Sequence, residues 1–551
     1  MELLTKEKIR DVKLHYKILF YTSIGILWSV SNVGYSFGFL TWFALIPFML
    51  AMKYESRKKA LIYSLLFGSV AYFVHLWWMV NPFVSYFSAG GSSFILTIVG
   101  FLIGLIVTIF ISIYHGFVYF LAVFITKYLA RKKGYIFYLV FPLVMTSLDY
   151  FYPKLWFDNI GYSQYIFLSF SQIADIFGVP FITLIVLYCN SSVIMLVESI
   201  FYKKDVKFPS ILFGTVIILV VLGSIYGWFR NEYISEIIKK APKTKISIIQ
   251  GNFSGNDKRG KTNLDYMINV YNNLTLSELQ ESPDLVIWPE SAVPAFFDGN
   301  VSRFNNIKRF PDVPLLFGCH IGEYDIISNE ENVYNSLVLL NGQGIKLDTY
   351  YKMRLVPFIE EIPFPFLNFF MKLYGLSSFS RGEEHKILKI KNMKISPNIC
   401  YEDVIPEFIM KSLDLKGERA NLIVNATNDS WFGKSLEPKM HLHISGFRSI
   451  ENRKTLVRAT CTGHSAVFYP TGELVYESEV FKKDSKTISV PLMDINTIYN
   501  SGGWLFIYIL ALFVLLIFVY SFVKRTRFKL IRKRLLKAAH HRRNLYKMWM
   551  E

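Results

Sequence analysis

Cysteine is scarce in this chain, with four residues in 551. Cys189 falls in an apolar run, while Cys319, Cys400 and Cys461 are widely separated, with no close pair and no metal-type spacing. Such a pattern offers no metal cluster, and an odd number in one domain leaves at least one thiol free. The histidines His441, His443 and His464 form no metal motif either and read as structural or surface residues. Charge is also scarce, at 19% of residues, and long stretches have none. No small-residue cleavage site follows the basic N-terminus (Lys6, Lys8, Arg10, Lys13, Lys17). The first apolar run therefore reads as a retained span, not a signal peptide.

Long apolar runs are what the first half contains. Eight segments reach or approach the roughly 20 residues that cross a bilayer as a helix: about 18–34, 38–53, 60–80, 94–126, 135–152, 178–200, 209–229 and 504–523. Lys and Arg crowd the N-terminus, the loops at 53–59, 127–133 and 203–207, and the C-terminal tail, whereas loops 35–37 and 81–93 carry no charge. Basic and neutral loops alternate in step with the spans. The positive-inside rule then places both termini in the cytoplasm and the region between the seventh and eighth spans outside it. The expected domains are a seven-span region (1–229), an external domain (230–502), an eighth span (503–524) and a basic tail (525–551). The net charge of +18 sits mostly in cytoplasmic loops and the tail, which argues against nucleic acid as a partner. The tail either lies on anionic lipid or is disordered.

From Lys243 the pattern becomes that of a layered α/β domain. "KISIIQGNF" (245–253) and "DLVIWPES" (284–291) read as strands, and "TNLDYMINVYNNLTLSELQ" (262–280) has helical spacing. Hairpins are expected at 335–358, around Asn392, and at 465–478, where Pro-Thr-Gly makes the turn. "ANLIVNATNDSWFG" (420–433) is a buried strand running into a loop, and 441–459 is a helix and its exit. Glu290, Lys352 and Cys400 each lie at or just past a strand end, where a scaffold presents side chains to a pocket. A cysteine attacks carbonyls as a thiolate and needs a proton acceptor and a nearby cation. Glu290 can be the base and Lys352 the cation, although each alone also reads as surface charge and Cys400 alone as a core thiol.

"VIWPES", "YKMRLVPFIEEIPF" and "PNICYED" resemble the Glu, Lys and Cys signatures of the carbon–nitrogen hydrolase (nitrilase) superfamily. With seven spans before such a domain and one after it, the chain resembles the membrane-embedded apolipoprotein N-acyltransferase family. Supporting stretches are "FGFLTWFALIPFML", "IGYSQ", "IIQGN" and "NATNDSWFG". The resemblance implies an αββα sandwich beside eight transmembrane helices in a bacterial inner membrane. It implies Cys400 as nucleophile, Glu290 as general base and Lys352 as oxyanion support, with Glu360, Tyr401 and Glu402 assisting. No cofactor or metal is implied. The expected partners are a phospholipid acyl donor and a diacylglyceryl-modified apolipoprotein acceptor, and a monomer is expected. The chain departs from the family pattern at Ile359 and Glu361, and it lacks a tryptophan after Gln250-Gly251-Asn252.

Trp431 and Phe432 are expected to form a lid or lipid contact, and Trp77, Trp78, Trp156 and Phe157 to line a lipid entrance or anchor the interface. Cys461 lacks an accompanying acid or lysine motif, so it reads as a bystander. The rival readings are a membrane-tethered amidase using the same triad and a transporter or scaffold whose external domain is inactive. His75 is the mild candidate for an intramembrane polar path.

Overall fold

The computed structural model describes residues 12–88, 94–130, 134–254, 257, 263–297, 313–325, 330–357, 360–361 and 379–550. Lys6, Lys8, Arg10 and Ile359, and parts of loops 81–93 and 127–133 and of the segment after Asn252, lie outside the described residues. The first half is helical: α1 (Leu14–Val30), α2 (Ile46–Tyr54), α3 (Arg57–His75), α4 (Val80–Ser88), α5 (Phe94–Ala130), α6 (Gly134–Phe151), α7 (Val179–Phe201) and α8 (Lys207–Lys240). Five helices among the described residues are long and apolar enough to cross a membrane, or six if the pair bent by 60° across Leu76 counts as one span. Two of the eight expected spans are shorter. The α1 helix has 17 residues. Residues 38–54 are split into a 3₁₀ turn (Gly38–Trp42) and α2, whose first turn holds Pro47. A proline lacks the N–H needed to continue a preceding helix.

Outward faces of the long helices carry large apolar side chains, such as Phe110 and Ile509, that are well exposed. Surface of that kind, continuous along helices whose backbones are internally satisfied, suits a lipid surround. Inside the bundle α3 and α5 touch backbone to backbone. A Cβ on Gly68 would sit 2.5 Å from the Gly116 carbonyl oxygen, the close approach that small residues permit between membrane helices. One end of the bundle gathers Lys17 with Glu55, Lys53 with Glu198, and Lys127 donating to the Glu55 carbonyl at 2.7 Å. At the opposite end sits the α/β domain.

The α8 helix runs past residue 230 without a break and delivers the chain to that domain, whose first strand begins at Lys243. Its strands are β1 (Lys243–Gln250), β2 (Leu285–Ile287), β3 (Val293–Phe296), β4 (Leu315–Asp325), β5 (Glu330–Leu340), β6 (Lys346–Tyr351), β7 (Leu388–Ile390), β8 (Met393–Ile399), β9 (Asp414–Leu415), β10 (Glu418–Arg419), β11 (Leu422–Thr427), β12 (Thr455–Thr460), β13 (Ala466–Phe468), β14 (Leu474–Glu477) and β15 (Asp484–Pro491). One sheet has the order β15-β1-β2-β4-β5-β6, with β3 beside β4, and the other β14-β13-β12-β11-β8-β7. The sheets share a core: Leu285, Ile287, Leu316 and Leu337 of the first pack in one cluster with Ile395, Ile399, Leu422 and Val424 of the second. Side chains alternate along a strand, so Val286, Leu315, Phe317 and Val338 turn the other way, against Met267, Ile268 and Tyr271 of α9 (Leu264–Glu278). Two further helices, α10 (Pro406–Ser412) and α11 (Glu437–Asn452), follow β8 and β11.

The expected hairpins form, with turns at Gly344 (φ +80°), Lys391 and Gly472 (φ +81°). One expectation needs correction. Thr455–Thr460, within the segment read as a helix and its exit, is the central strand β12, parallel to β11. All six of its side chains are buried, which removes the alternation that marks a strand in sequence. The final helix α12 (Leu505–Met550) has 46 residues, so the basic tail is helical and continues the last apolar segment.

A buried clamp joins the two halves. Asp175, on a single helical turn below the domain, takes Arg230 of α8 at 2.7 Å and Arg453, just past α11, at 2.8 Å. Arg453 also donates to the Gln172 side chain at 2.6 Å.

Candidate active site

Strand β8 ends at Ile399, and the chain turns at once into a 3₁₀ segment, Cys400–Val404. Cys400 has φ +51°, a left-handed conformation that costs a non-glycine residue roughly 1–2 kcal/mol. Strain of this kind persists where surrounding structure fixes it, commonly at a site of function. Here Asn425 of β11 donates to the Cys400 carbonyl at 3.1 Å, and the Ile399 N–H donates to Glu402 at 2.7 Å. The side chain is 9% exposed.

Facing it is a charged cluster carried by the other sheet. Lys352, one residue past β6, places Nζ 3.1 Å from Glu290 Oε1 and 2.8 Å from Glu360 Oε1. Asn335 of β5 donates to both carboxylates, at 2.7 and 3.1 Å. The second Glu360 oxygen accepts the Val356 N–H at 2.8 Å. Glu290 is held from behind by Gly318 of β4, where a Cβ would come within 2.7 Å of the Glu290 Cα. All of these side chains are buried. Burial would lower the Lys352 ammonium, but Glu290, Glu360 and Cys400 together raise it well above the usual lysine value. It therefore stays charged.

The thiol behaves oppositely. Burial first, then the carboxylate of Glu290, push Cys400 well above the usual thiol value, against the pull of Lys352. Cys400 thus rests as a neutral thiol, and acting as a nucleophile would require a base. Glu290 is the carboxylate with the largest influence on it, while Glu360 is bound to backbone as well as to Lys352.

Glu402 ties the two sides together. Its Oε1 accepts the N–H groups of Met353 and Arg354 at 2.7 and 2.9 Å, and its Oε2 those of Ile399 and the Tyr350 hydroxyl at 2.7 and 2.9 Å. The strand end that carries Lys352 is thereby fixed against the turn that carries Cys400. Burial raises this carboxyl to about 7, against those backbone donors. Tyr401 donates to the Leu155 carbonyl at 3.0 Å, joining the same turn to the loop after α6.

Behind Cys400 lies a second buried network. Asp403 is paired with His441 at 2.7 Å and Arg458 at 3.0 Å, and Arg458 also meets Asp429 at 3.0 Å. Asp429, Glu437 and His441 place ligand atoms within 4.8 Å of one another, a geometry that could hold an ion. The Arg458 guanidinium, paired with that same Asp429, already supplies positive charge there. His441 is thus a buried ion-pair partner and not a surface residue. His443 is half-buried, stacked on Tyr165 at 3.5 Å, and His464 pairs with Glu477 at 2.8 Å. Cys461 donates to the Glu290 carbonyl at 3.1 Å, and all four cysteines are free and buried.

The aromatic residues divide. Trp78 packs edge-on against Trp156 (5.4 Å) and Phe432 (5.0 Å), and Trp156 and Phe157 approach Tyr401 at 6.0 and 6.2 Å. Trp77 points away, 45% exposed beside Phe101. Phe432 and the partly buried Trp431 sit on a 3₁₀ turn (Asp429–Phe432), and Asn81 of α4 donates to the Phe432 carbonyl at 2.7 Å. His75 faces Asp158 at 3.3 Å, beside the Lys154 ion pairs with Asp149 and Asp158 (2.9 and 3.1 Å). That cluster fixes the loop bearing Trp156, so His75 needs no transport role. Asn335 and Arg458 were not singled out from sequence. Each is one of several polar residues on its strand, and only strand pairing shows what it faces.

Residues 245–500 match the carbon-nitrogen hydrolase family, and residues 24–192 match the apolipoprotein N-acyltransferase N-terminal domain. An apolipoprotein N-acyltransferase of Geobacter metallireducens is 28% identical over 500 residues, covering 88% of this chain and 91% of that protein. One from Borreliella burgdorferi is 29% identical over 516 residues, covering 90% and 92%. Among solved structures, Saccharomyces cerevisiae Nit3 of the nitrilase superfamily is similar at 18% identity and a TM-score of 0.35, over 47% of this chain and 93% of that one. With both domain matches in order and relatives aligned along most of their length, the chain is similar to the apolipoprotein N-acyltransferases in both of its parts.

Proposed function

We propose that this protein transfers an acyl chain from a membrane phospholipid, through a thioester on Cys400, to the α-amino group of the diacylglyceryl-cysteine of apolipoproteins. The observation that carries the chemistry is a buried neutral thiol facing Glu290, Lys352 and Glu360, on a turn hydrogen-bonded to the membrane half through Tyr401. Glu290 takes the Cys400 proton as sulfur attacks the ester carbonyl. Of the three Lys352 protons, Glu290 and Glu360 engage two, and the third is available to the oxyanion. A donor of that kind contributes about 3–4 kcal/mol in acyl-transfer sites. Collapse breaks the ester C–O bond, Glu290 returns the proton to the departing lysophospholipid alkoxide, and the thioester remains. The acceptor amine then attacks the thioester, giving up a proton to Glu290. The C–S bond breaks, and the thiolate recovers that proton.

Eight crossings, both termini in the cytoplasm and the α/β domain on the outer face of a bacterial inner membrane complete the reading, with the protein acting as a monomer. Supporting the orientation, the basic loops gather at the end of the bundle opposite that domain. The test is intact-protein mass spectrometry after incubation with phospholipid and no acceptor. A hydroxylamine-sensitive gain of one acyl chain is expected, absent in Cys400→Ser and discharged by a diacylglyceryl lipopeptide. Failure of every phospholipid to leave an adduct on folded protein would transfer the proposal to hydrolysis of a small amide.

A further inference from the structure

Beside the Cys400 turn lies a cavity of about 370 Å³. Its walls include Tyr401, next to the nucleophile, Arg354, two residues past Lys352, and Phe157 from the loop after α6. Arg354, Arg381, His385 and Lys411 supply its basic side chains, and Glu361 and Glu407 its acids. Both acids are engaged. Glu361 takes Arg381 through two hydrogen bonds, at 2.6 and 2.7 Å. Glu407 accepts the hydroxyls of Tyr150 and Tyr508. Among the described residues, Arg354 and Lys411 have no carboxylate within ion-pair distance. His385 lines the same cavity, and its Nδ1 is buried with no hydrogen-bond partner. Burial, then Arg354 and Lys411, push its pKa down, which shows that both cations bear on one ring.

Unpaired cations converging on one cavity repel one another until an anion joins them, and a guanidinium fits phosphate oxygens in a fork. We propose that this cavity binds the phosphate of the acyl-donor phospholipid while its ester lies at Cys400. The assignment rests on the acyltransferase reading above. Location favours the lipid as the source. Tyr150 ends α6 and Tyr508 begins α12, next to exposed apolar residues such as Phe151 and Ile509, so the cavity opens where the membrane helices meet the domain. A phosphodiester joined by a glycerol to an ester one residue away satisfies both places at once. The acceptor's reacting group is an amine, which offers these cations no negative charge to pair with.

The experiment measures single-turnover acylation of the full-length protein against the mole fraction of phosphatidylglycerol in detergent micelles. In Arg354→Gln/Lys411→Gln the mole fraction giving half-maximal rate should rise about tenfold or more, the scale of lost charge-assisted hydrogen bonds. The maximal rate should stay within about threefold, and Arg354→Lys with Lys411 intact should lose less affinity than the double variant, because the charge stays while the fork is lost. An unmoved half-maximal mole fraction, or a fall in maximal rate alone, overturns the assignment. So does suppression of wild-type acylation by inorganic phosphate at concentrations comparable to the lipid, which would make the cavity a free-phosphate site. Equal melting temperatures exclude misfolding. Absence of any adduct in the wild type would instead defeat the acyltransferase reading.

Discussion

Two charged clusters flank Cys400, both fully buried, and they are built on opposite principles. In the network behind it, Asp403 and Asp429 are held below the usual carboxylate range by His441 and Arg458 against the effect of burial, Asp429 at about 2. His441 is raised well above the imidazole value by those same acids. Those three shifts deepen existing ion pairs, while burial and then Asp429 push the neighbouring Glu437 carboxyl up to about 7. In the cluster facing the sulfur, one ammonium serves two carboxylates, and burial with Glu290 keeps the thiol neutral. One cluster is settled at rest, and the other acquires its reactive charge only as a proton moves. Burial alone therefore does not tell a scaffold from a site. What separates them is whether each group's charge is already matched.

The contrast can be broken from the reactive side first. Glu290→Gln should lower Cys400 acylation by about 10²–10⁴-fold, the range for loss of a positioned base, while its melting temperature stays close to the wild type. An equal loss of stability would make Glu290 a scaffold residue as well. On the other side, Arg458→Met should destabilise by about 3–5 kcal/mol, because buried acids lose their cation, and thermal unfolding would show it. If it unfolds like the wild type but does not acylate, the division between the clusters fails.

The acid limb of stability sharpens the same point. Asp403 and Asp429 are depressed, so their contribution is complete above the unfolded value of about 3.9 and is lost as pH falls through the folded values. His441 is raised, so its share is present below about 6.5 and disappears as pH rises through the folded value. Melting temperature should fall steeply between about pH 4 and pH 2, and less steeply in Asp403→Asn. Alkylation of Cys400 by iodoacetamide should be slow at neutral pH and rise about tenfold per unit toward alkaline pH. Lys352→Met should slow it further, since the cation with the largest pull on the thiol is gone. Smallest of all, Tyr350→Phe removes one of four donors to Glu402 and should cost about 1 kcal/mol, seen in melting and as a several-fold slower acylation.

Much of this was legible in the chain. The long apolar runs, the hairpins around Gly344, Lys391 and Gly472, and the positions of Glu290, Lys352 and Cys400 follow from local pattern and turn chemistry. The strand Thr455–Thr460 did not, because a strand buried on both faces shows no alternation. The 38–54 segment is already short of a full span in sequence, but its split into a 3₁₀ turn and α2, and the placement of α1 at Leu14–Val30 instead of 18–34, come only from the structure. Phe432 was expected near the site, but its packing on Trp78 and its tie to Asn81 come from elements hundreds of positions apart.

By itself, then, the sequence determined which residues are chemically capable and which stretches avoid water, because both depend on side-chain type and short-range spacing. Tertiary structure decided what each charge meets. Lys352 comes between two acids, Glu402 binds two chain turns together, and Arg354 and Lys411 converge unpaired on one cavity. Those outcomes hang on the pairing of β5 with β6, of β8 with β11, and on the stacking of the two sheets. A polar side chain's energy depends on its partners and its distance from water, and neither is written in its neighbours along the chain.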